Sequence, residues 1–247
     1  MSKPTGVPLC LYLIRHGETN WSLSGQHTGR TDISLTEHGE EEARALALQL
    51  RDIPFVHVLT SPRQRARQTC ILSGLGAEAE IEPDLAEWDY GDYEGRQSDD
   101  IHKQRPNWNI FRDGCPLGEM PDQVSTRADR LIAHLNTLEG NVALFSYGQF
   151  GGVLAARWIG LALAEATHFR LDTASVSLLC YDPRHKSVAV IALWNWNATS
   201  HEIRDGFPHT RTADPMATKQ RAVERWENEG GELQNQHKSR FQEIKCR

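Results

Sequence analysis

Three short, mainly apolar runs, the first of them unbroken, are each followed by a stretch suited to a helix. The runs are Leu9-Cys10-Leu11-Tyr12-Leu13-Ile14, Phe55-Val56-His57-Val58-Leu59 and Val142-Ala143-Leu144-Phe145-Ser146. Continuous runs of this length read as buried strands. Strands alternating with helices imply a mostly parallel sheet covered on both faces. Thr36 is placed to cap a helix reaching about residue 51, in which Ala43, Leu46, Ala47 and Leu50 form one apolar stripe. A basic helical segment is expected over about 62–73, with Pro62 in its first turn. Pro121-Asp122 opens a third helix, with Val124, Ala128, Leu131, Ile132, Leu135 and Leu138 on one side. A fourth is expected over about 149–159, and two further strands over 175–181 and 187–194. The fold class predicted is three-layer α/β/α with a mostly parallel central sheet.

Residues 83–121 break the pattern. They are rich in Asp, Gly, Pro and Trp, have poor periodicity, and read as an irregular insertion over the C-terminal edge of the sheet. Apolar density falls after about Ser200. The organisation expected is therefore one domain over 1–200, followed by 201–247 as a linker and a short helical tail. Residues 217–229, ending at Gly230-Gly231, supply that helix.

The net charge of −6 lacks the basic field of a general nucleic-acid binder. No stretch approaches the roughly 18 apolar residues of a membrane span. Cys10, Cys70, Cys115, Cys180 and Cys246 are odd in number, widely spaced and without a C-x-x-C, which reads as free thiols in a reducing compartment. A cytoplasmic protein is expected. His16, His27 and His38 are eleven apart and match no compact metal-ligand motif, so no metal is expected.

The first strand ends in Arg15-His16-Gly17. The C-terminal edge of an open α/β sheet is where ligands bind. A neutral imidazole there is a competent nucleophile toward phosphorus, if its other nitrogen is held by a hydrogen bond. Arg15 offers a planar fork to phosphoryl oxygens, and Gly17 permits close backbone approach. After the second strand come Arg63, Arg65 and Arg67. Arg63 and Arg67 share a helix face and Arg65 lies off it, so one face can meet phosphate while the other meets solvent.

Arg15-His16-Gly17-Glu18-Thr19, then Gly29-Arg30-Thr31-Asp32, Leu35-Thr36 with Gly39, and Ser61-Pro62 with Arg65-Ala66 and Gln68-Thr69 together resemble the histidine phosphatase superfamily, the phosphoglycerate-mutase-like group. The similarity runs from about residue 9 to residue 200. It implies a cofactor-independent phosphomonoesterase acting on a small phosphorylated metabolite, with His16 as the nucleophile that becomes phosphohistidine. Arg15 and Arg65 resemble the phosphate-clamping pair, and Glu87 the carboxyl that protonates the leaving oxygen. That role requires a neutral Glu87, hence burial, for which Trp88 and Tyr90 stand nearby. The family's substrate loop corresponds to Thr28, Gly29 and Arg30, with His27 a further candidate. Ser22 stands where the family often places Asn. The segment around Glu87 most resembles the sugar-phosphate phosphatases, such as those acting on sedoheptulose bisphosphate. A homodimer is compatible with the sequence.

The resemblance has one break. The family usually has Ser-His-Gly after the third strand, and this chain has Ser146-Tyr147-Gly148, followed by Gln149, Gly151 and Gly152 where the closest-looking relatives often bring another His and an Arg. Tyr147 can donate one hydrogen bond to phosphate but cannot supply an imidazolium charge, since an ordinary phenol titrates near 10. Impaired turnover is therefore expected. The alternatives are a degraded member that binds phosphorylated ligands and a mutase-type phosphotransferase. The Gly151-Gly152 pair predicts a weakened, more mobile helix start.

Overall fold

The computed structural model describes residues 7–197, together with the backbone of 202–204 and 207–209. Six strands form one sheet: β1 (Cys10–Arg15), β2 (Phe55–Thr60), β3 (Ala79–Ile81), β4 (Asn141–Ser146), β5 (Val176–Tyr181) and β6 (Ala189–Trp196). Their order is β3-β2-β4-β1-β5-β6. The first four in that order run parallel, and β5 and β6 are antiparallel additions. The helices are α1 (Asn20–Ser24), α2 (Glu37–Leu50), α3 (Gln64–Leu72), α4 (Ser98–His102), α5 (Ile110–Asp113), α6 (Pro121–Leu135) and α7 (Gly148–Trp158). This is the expected three-layer α/β/α arrangement.

Side-chain alternation along the central strands divides the core. Leu11 and Leu13 of β1, with Val142 and Leu144 of β4, pack on one face among residues of α6, α7 and the insertion. Ile14, Ala143 and Phe145 turn to the other face, against Leu46 and Leu50 of α2 and Ala66 and Cys70 of α3. The insertion over 83–121 has little regular structure, as expected. Its Trp88, Tyr90, Tyr93, Trp108 and Phe111 are nonetheless buried, so it is a fixed wall of the domain.

Several expectations shift. The basic helix starts at Gln64, two residues after Pro62, because Asp32 accepts the Gln64 backbone N–H at 2.8 Å and caps it from a distant loop. The short helix α1 is an addition. Thr19 and Ser22 form its capping box, a local signal present in the sequence. Gly151 and Gly152 both lie within the continuous helix α7. Both are buried, and a Cβ on Gly151 would lie 2.5 Å from Leu171 and one on Gly152 2.9 Å from the Phe169 carbonyl oxygen. The missing side chains let the helix pack closely.

The cysteine expectation is corrected. Cys10 and Cys180 form a disulfide, because the antiparallel pairing of β1 with β5 sets them directly opposite, across 170 residues of chain. Cys70 and Cys115 are free and buried, and Cys246 lies outside the described residues. The cysteines therefore no longer argue for a reducing compartment. Among the described residues no helix is long and apolar enough to cross a membrane. Within the predicted linker, β7 (Glu202–Arg204) and β8 (Phe207–His209) pair antiparallel. The predicted helix over 217–229 lies outside the described residues.

Candidate active site

β1 and β4 are adjacent and parallel, with Arg15 paired to Ser146 at their C-terminal ends. The residues that follow, His16 and Tyr147, therefore emerge side by side, their ring centroids 5.4 Å apart. The backbone N–H of His16 donates to the Ser146 carbonyl at 3.1 Å, and the His16 carbonyl accepts from Ala174 at 3.1 Å. The next turn is pinned from two helices. Gly17 N–H donates to Thr69 Oγ1 of α3 at 3.0 Å, and Glu18 N–H donates to Glu42 Oε2 of α2 at 2.8 Å. Gly17 also lies against the backbone of Gly39. A Cβ on Gly17 would stand 2.4 Å from the Gly39 carbonyl oxygen, so this contact requires glycine.

His16 is buried, and its Nδ1 lies 2.7 Å from the Gly17 carbonyl oxygen. A carbonyl only accepts, so Nδ1 carries the proton and Nε2 holds the lone pair. Burial, and then the charges of Arg65 and Arg15, hold the imidazole well below its ordinary pKa. The ring is thus neutral and oriented, as a nucleophile must be.

Glu87 enters the same site from the insertion. Its Oε1 accepts the backbone N–H groups of Trp88 at 2.9 Å and Phe150 at 2.8 Å, and its Oε2 accepts that of Gln149 at 3.1 Å. These bonds favour the anion, yet burial outweighs them and the pKa is raised. The loop carrying Glu87 is held by Arg127 of α6, which donates to the carbonyls of Asp84, Ala86 and Glu87 and to the carboxylate of Glu119.

A cleft of about 330 Å³, counted to its open mouth, is lined by Arg15, His16 and Glu87 at its reacting end. Ser22 and Thr28 lie on its wall, with Gln26, His27, Tyr90, Gly148 and Gln149. Arg15 is buried, and its Nη1 donates to the Leu171 carbonyl at 2.5 Å.

Four candidates stand elsewhere. Arg65 lies behind the wall, fully buried. Its Nη1 donates to the Thr31 carbonyl at 2.9 Å, and its Nη2 to Thr28 at 2.8 Å and Gly29 at 3.1 Å. Its Nε has no hydrogen-bond partner among the described residues. It therefore holds the 28–31 loop, and its charge acts on His16 through the protein. Tyr147 is also buried behind the wall, with its hydroxyl 2.5 Å from Ser61 Oγ. Gly29 donates its N–H to Glu94 Oε1 at 2.9 Å and is a structural corner of the loop. Arg30 is exposed and pairs with Asp89 at 3.2 Å. Arg67 faces solvent while Arg65 turns inward, as the helix periodicity indicates.

Reasoning from sequence missed Gln26, Gln149 and the anchors Glu42 and Arg127. Gln149 is two residues from Tyr147, so its location was readable, whereas the anchors had no local signal.

A neutral imidazole beside arginines shares a cleft with a pKa-raised carboxyl. Residues 11–197 match the histidine phosphatase superfamily (branch 1), and the chain belongs to that superfamily. It is 38% identical over 189 residues to an acid phosphatase of Mycobacterium tuberculosis, covering 74% of this chain and 92% of that one. It is 38% identical over 195 residues to the sedoheptulose 1,7-bisphosphatase of Saccharomyces cerevisiae, covering 66% and 71% respectively. The solved structure of the product of open reading frame Rv3214 of Mycobacterium tuberculosis superposes with a TM-score of 0.71 at 36% identity, over 76% of this chain and 97% of that one.

Proposed function

We propose that this protein is a phosphomonoesterase that works through a phosphohistidine on residue 16. The observation carrying the reading is the state of His16: neutral, with Nδ1 tied to the Gly17 carbonyl and Nε2 left to react, in one cleft with Glu87. Nε2 attacks phosphorus in line, forming the N–P bond as the ester P–O bond breaks. The leaving alkoxide takes the proton of Glu87, whose raised pKa keeps a proton available. Glu87, now a carboxylate, takes a proton from the water that attacks phosphohistidine, and inorganic phosphate leaves with His16 restored. Arg15 supports the transferring oxygens, and Arg65 adds charge from behind the wall.

Turnover is slow in this reading. The Tyr147 hydroxyl is engaged by Ser61 and brings no cation to the phosphoryl group. Loss of one such donor costs on the order of 10²–10³ in rate. A sugar phosphate is the favoured substrate, supported by the likeness to the yeast sedoheptulose 1,7-bisphosphatase. The same Tyr147 observation favours a second reading, a binding protein for phosphorylated metabolites.

Rapid quench with a phosphorylated substrate, followed by mass spectrometry of the peptide holding residue 16, separates them. Phosphate on His16 supports the enzyme. An unmodified peptide at all times, with ligand bound, supports the binding protein.

A further inference from the structure

Among the described residues, no side chain that lines the cleft beyond its reacting end carries a formal charge. Ser22, Gln26, His27, Thr28, Tyr90 and Gln149 make up that part of the wall. His27 is buried, stacked on Tyr90 at 4.6 Å and edge-on to Trp108 at 5.5 Å. Burial pushes its pKa down to about 3, so it stays neutral. Among the described residues Arg15 is the sole cation on the wall. Arg30 is exposed and paired with Asp89. Gly152 has no side chain, and the Phe169 carbonyl stands where one would begin.

Gln149 is the unspent group. It is 7% exposed and lines the cleft, and its backbone N–H holds Glu87 Oε2, so it stands beside the proton donor. Among the described residues nothing hydrogen-bonds its carboxamide. A carboxamide can both donate to and accept from a hydroxyl. A second phosphate or carboxylate on the substrate would instead be desolvated with no further cation of the described residues on the wall to meet it, and with Glu87 close by.

We propose, resting on the phosphomonoesterase reading, that the cleft takes a monophosphate ester with an uncharged, hydroxyl-rich leaving group, and that Gln149 reads one of its hydroxyls. Esters bearing a second anion are poor ligands, so on this point the cleft departs from the bisphosphate named for the yeast relative.

Calorimetry on full-length His16→Asn, which cannot turn substrate over by this route, measures binding of glycerol 1-phosphate, a hexose monophosphate, 3-phosphoglycerate and fructose 1,6-bisphosphate. The two polyol monophosphates are expected to bind at least about tenfold tighter than the two doubly anionic ligands. Adding Gln149→Leu should weaken the polyol esters by about tenfold, the scale of one net hydrogen bond. The same ratios, read as kcat/KM on the otherwise unaltered protein with and without Gln149→Leu, serve if the His16 variant does not fold. Equal or tighter binding of 3-phosphoglycerate or the bisphosphate overturns the proposal, as does a Gln149→Leu variant with unchanged preference. Failure of the phosphatase reading is seen separately, as absence of phosphohistidine on residue 16, and the binding ranking still decides the ligand class.

Discussion

The guanidinium of Arg65 stacks on the ring of Tyr147, its central carbon 4.4 Å from the ring centroid. The pair is buried, and the tyrosine hydroxyl is held by Ser61 at 2.5 Å. Tyr147 is thus a packed support for Arg65, which in turn holds the carbonyls of Thr28, Gly29 and Thr31. The position that breaks the family pattern has become part of the wall's scaffold.

Tyr147→His tests the cost of that exchange. The variant should hydrolyse an aryl phosphate about 10–100-fold faster, because an imidazole can bring a charged donor to the transferring group. It should also lose about 1–2 kcal/mol of stability, since the cation–π contact and the Ser61 bond are removed. Steady-state rates with denaturant unfolding check both, and an unchanged rate with a less stable fold would refute the proposal that Tyr147 slows turnover.

Glu87→Gln separates proton donation from the attack of His16. An alkyl phosphate needs its leaving oxygen protonated and should slow by about 10²–10³, whereas an aryl phosphate, whose phenolate leaves unaided, should slow far less. Activity requiring a protonated Glu87 declines as pH rises through its raised pKa. That decline should be absent from the variant's pH–rate profile. Equal slowing of both substrates would assign Glu87 a positioning role.

His27 makes the fold acid-sensitive. Its pKa is near 6.5 when unfolded and about 3 when folded. Between those values the unfolded chain binds the extra proton, so stability is full above pH 6.5 and falls as pH drops toward 3. The slope from this one group is about 1.4 kcal/mol per pH unit. His16 shifts in the same direction and adds to the fall. His27→Phe keeps an aromatic ring against Tyr90 and Trp108 and should flatten the dependence. Thermal unfolding at pH 7 and pH 5 reads the difference, and parallel losses in both proteins would refute the assignment.

The Cys10–Cys180 disulfide ties the strand that leads into His16 to its antiparallel neighbour across 170 residues. Closing so long a loop stabilises by about 2–4 kcal/mol, chiefly by restricting the unfolded chain. Cys10→Ser should lower the denaturation midpoint accordingly and make it insensitive to reductant. A midpoint in the unaltered protein that does not respond to reductant would count against the bond.

The amino-acid sequence alone determined the layered architecture and the place of His16 at the sheet edge. Those features rest on local patterns: apolar runs that must be buried, stripes at helical spacing, and a histidine directly after a strand. Contacts between distant segments were decided by the tertiary structure. Asp32 capping α3, Arg127 gripping the Glu87 loop, and Cys10 opposite Cys180 each join residues dozens to scores of positions apart. Their pairing depends on strand register and on how the insertion packs, which no periodicity encodes. Tyr147 illustrates the division. Its departure from the family pattern was legible as a letter. Whether the ring would face the cleft or support Arg65 depended on the space left between β4 and α3, and that space exists only once the sheet and its helices have assembled.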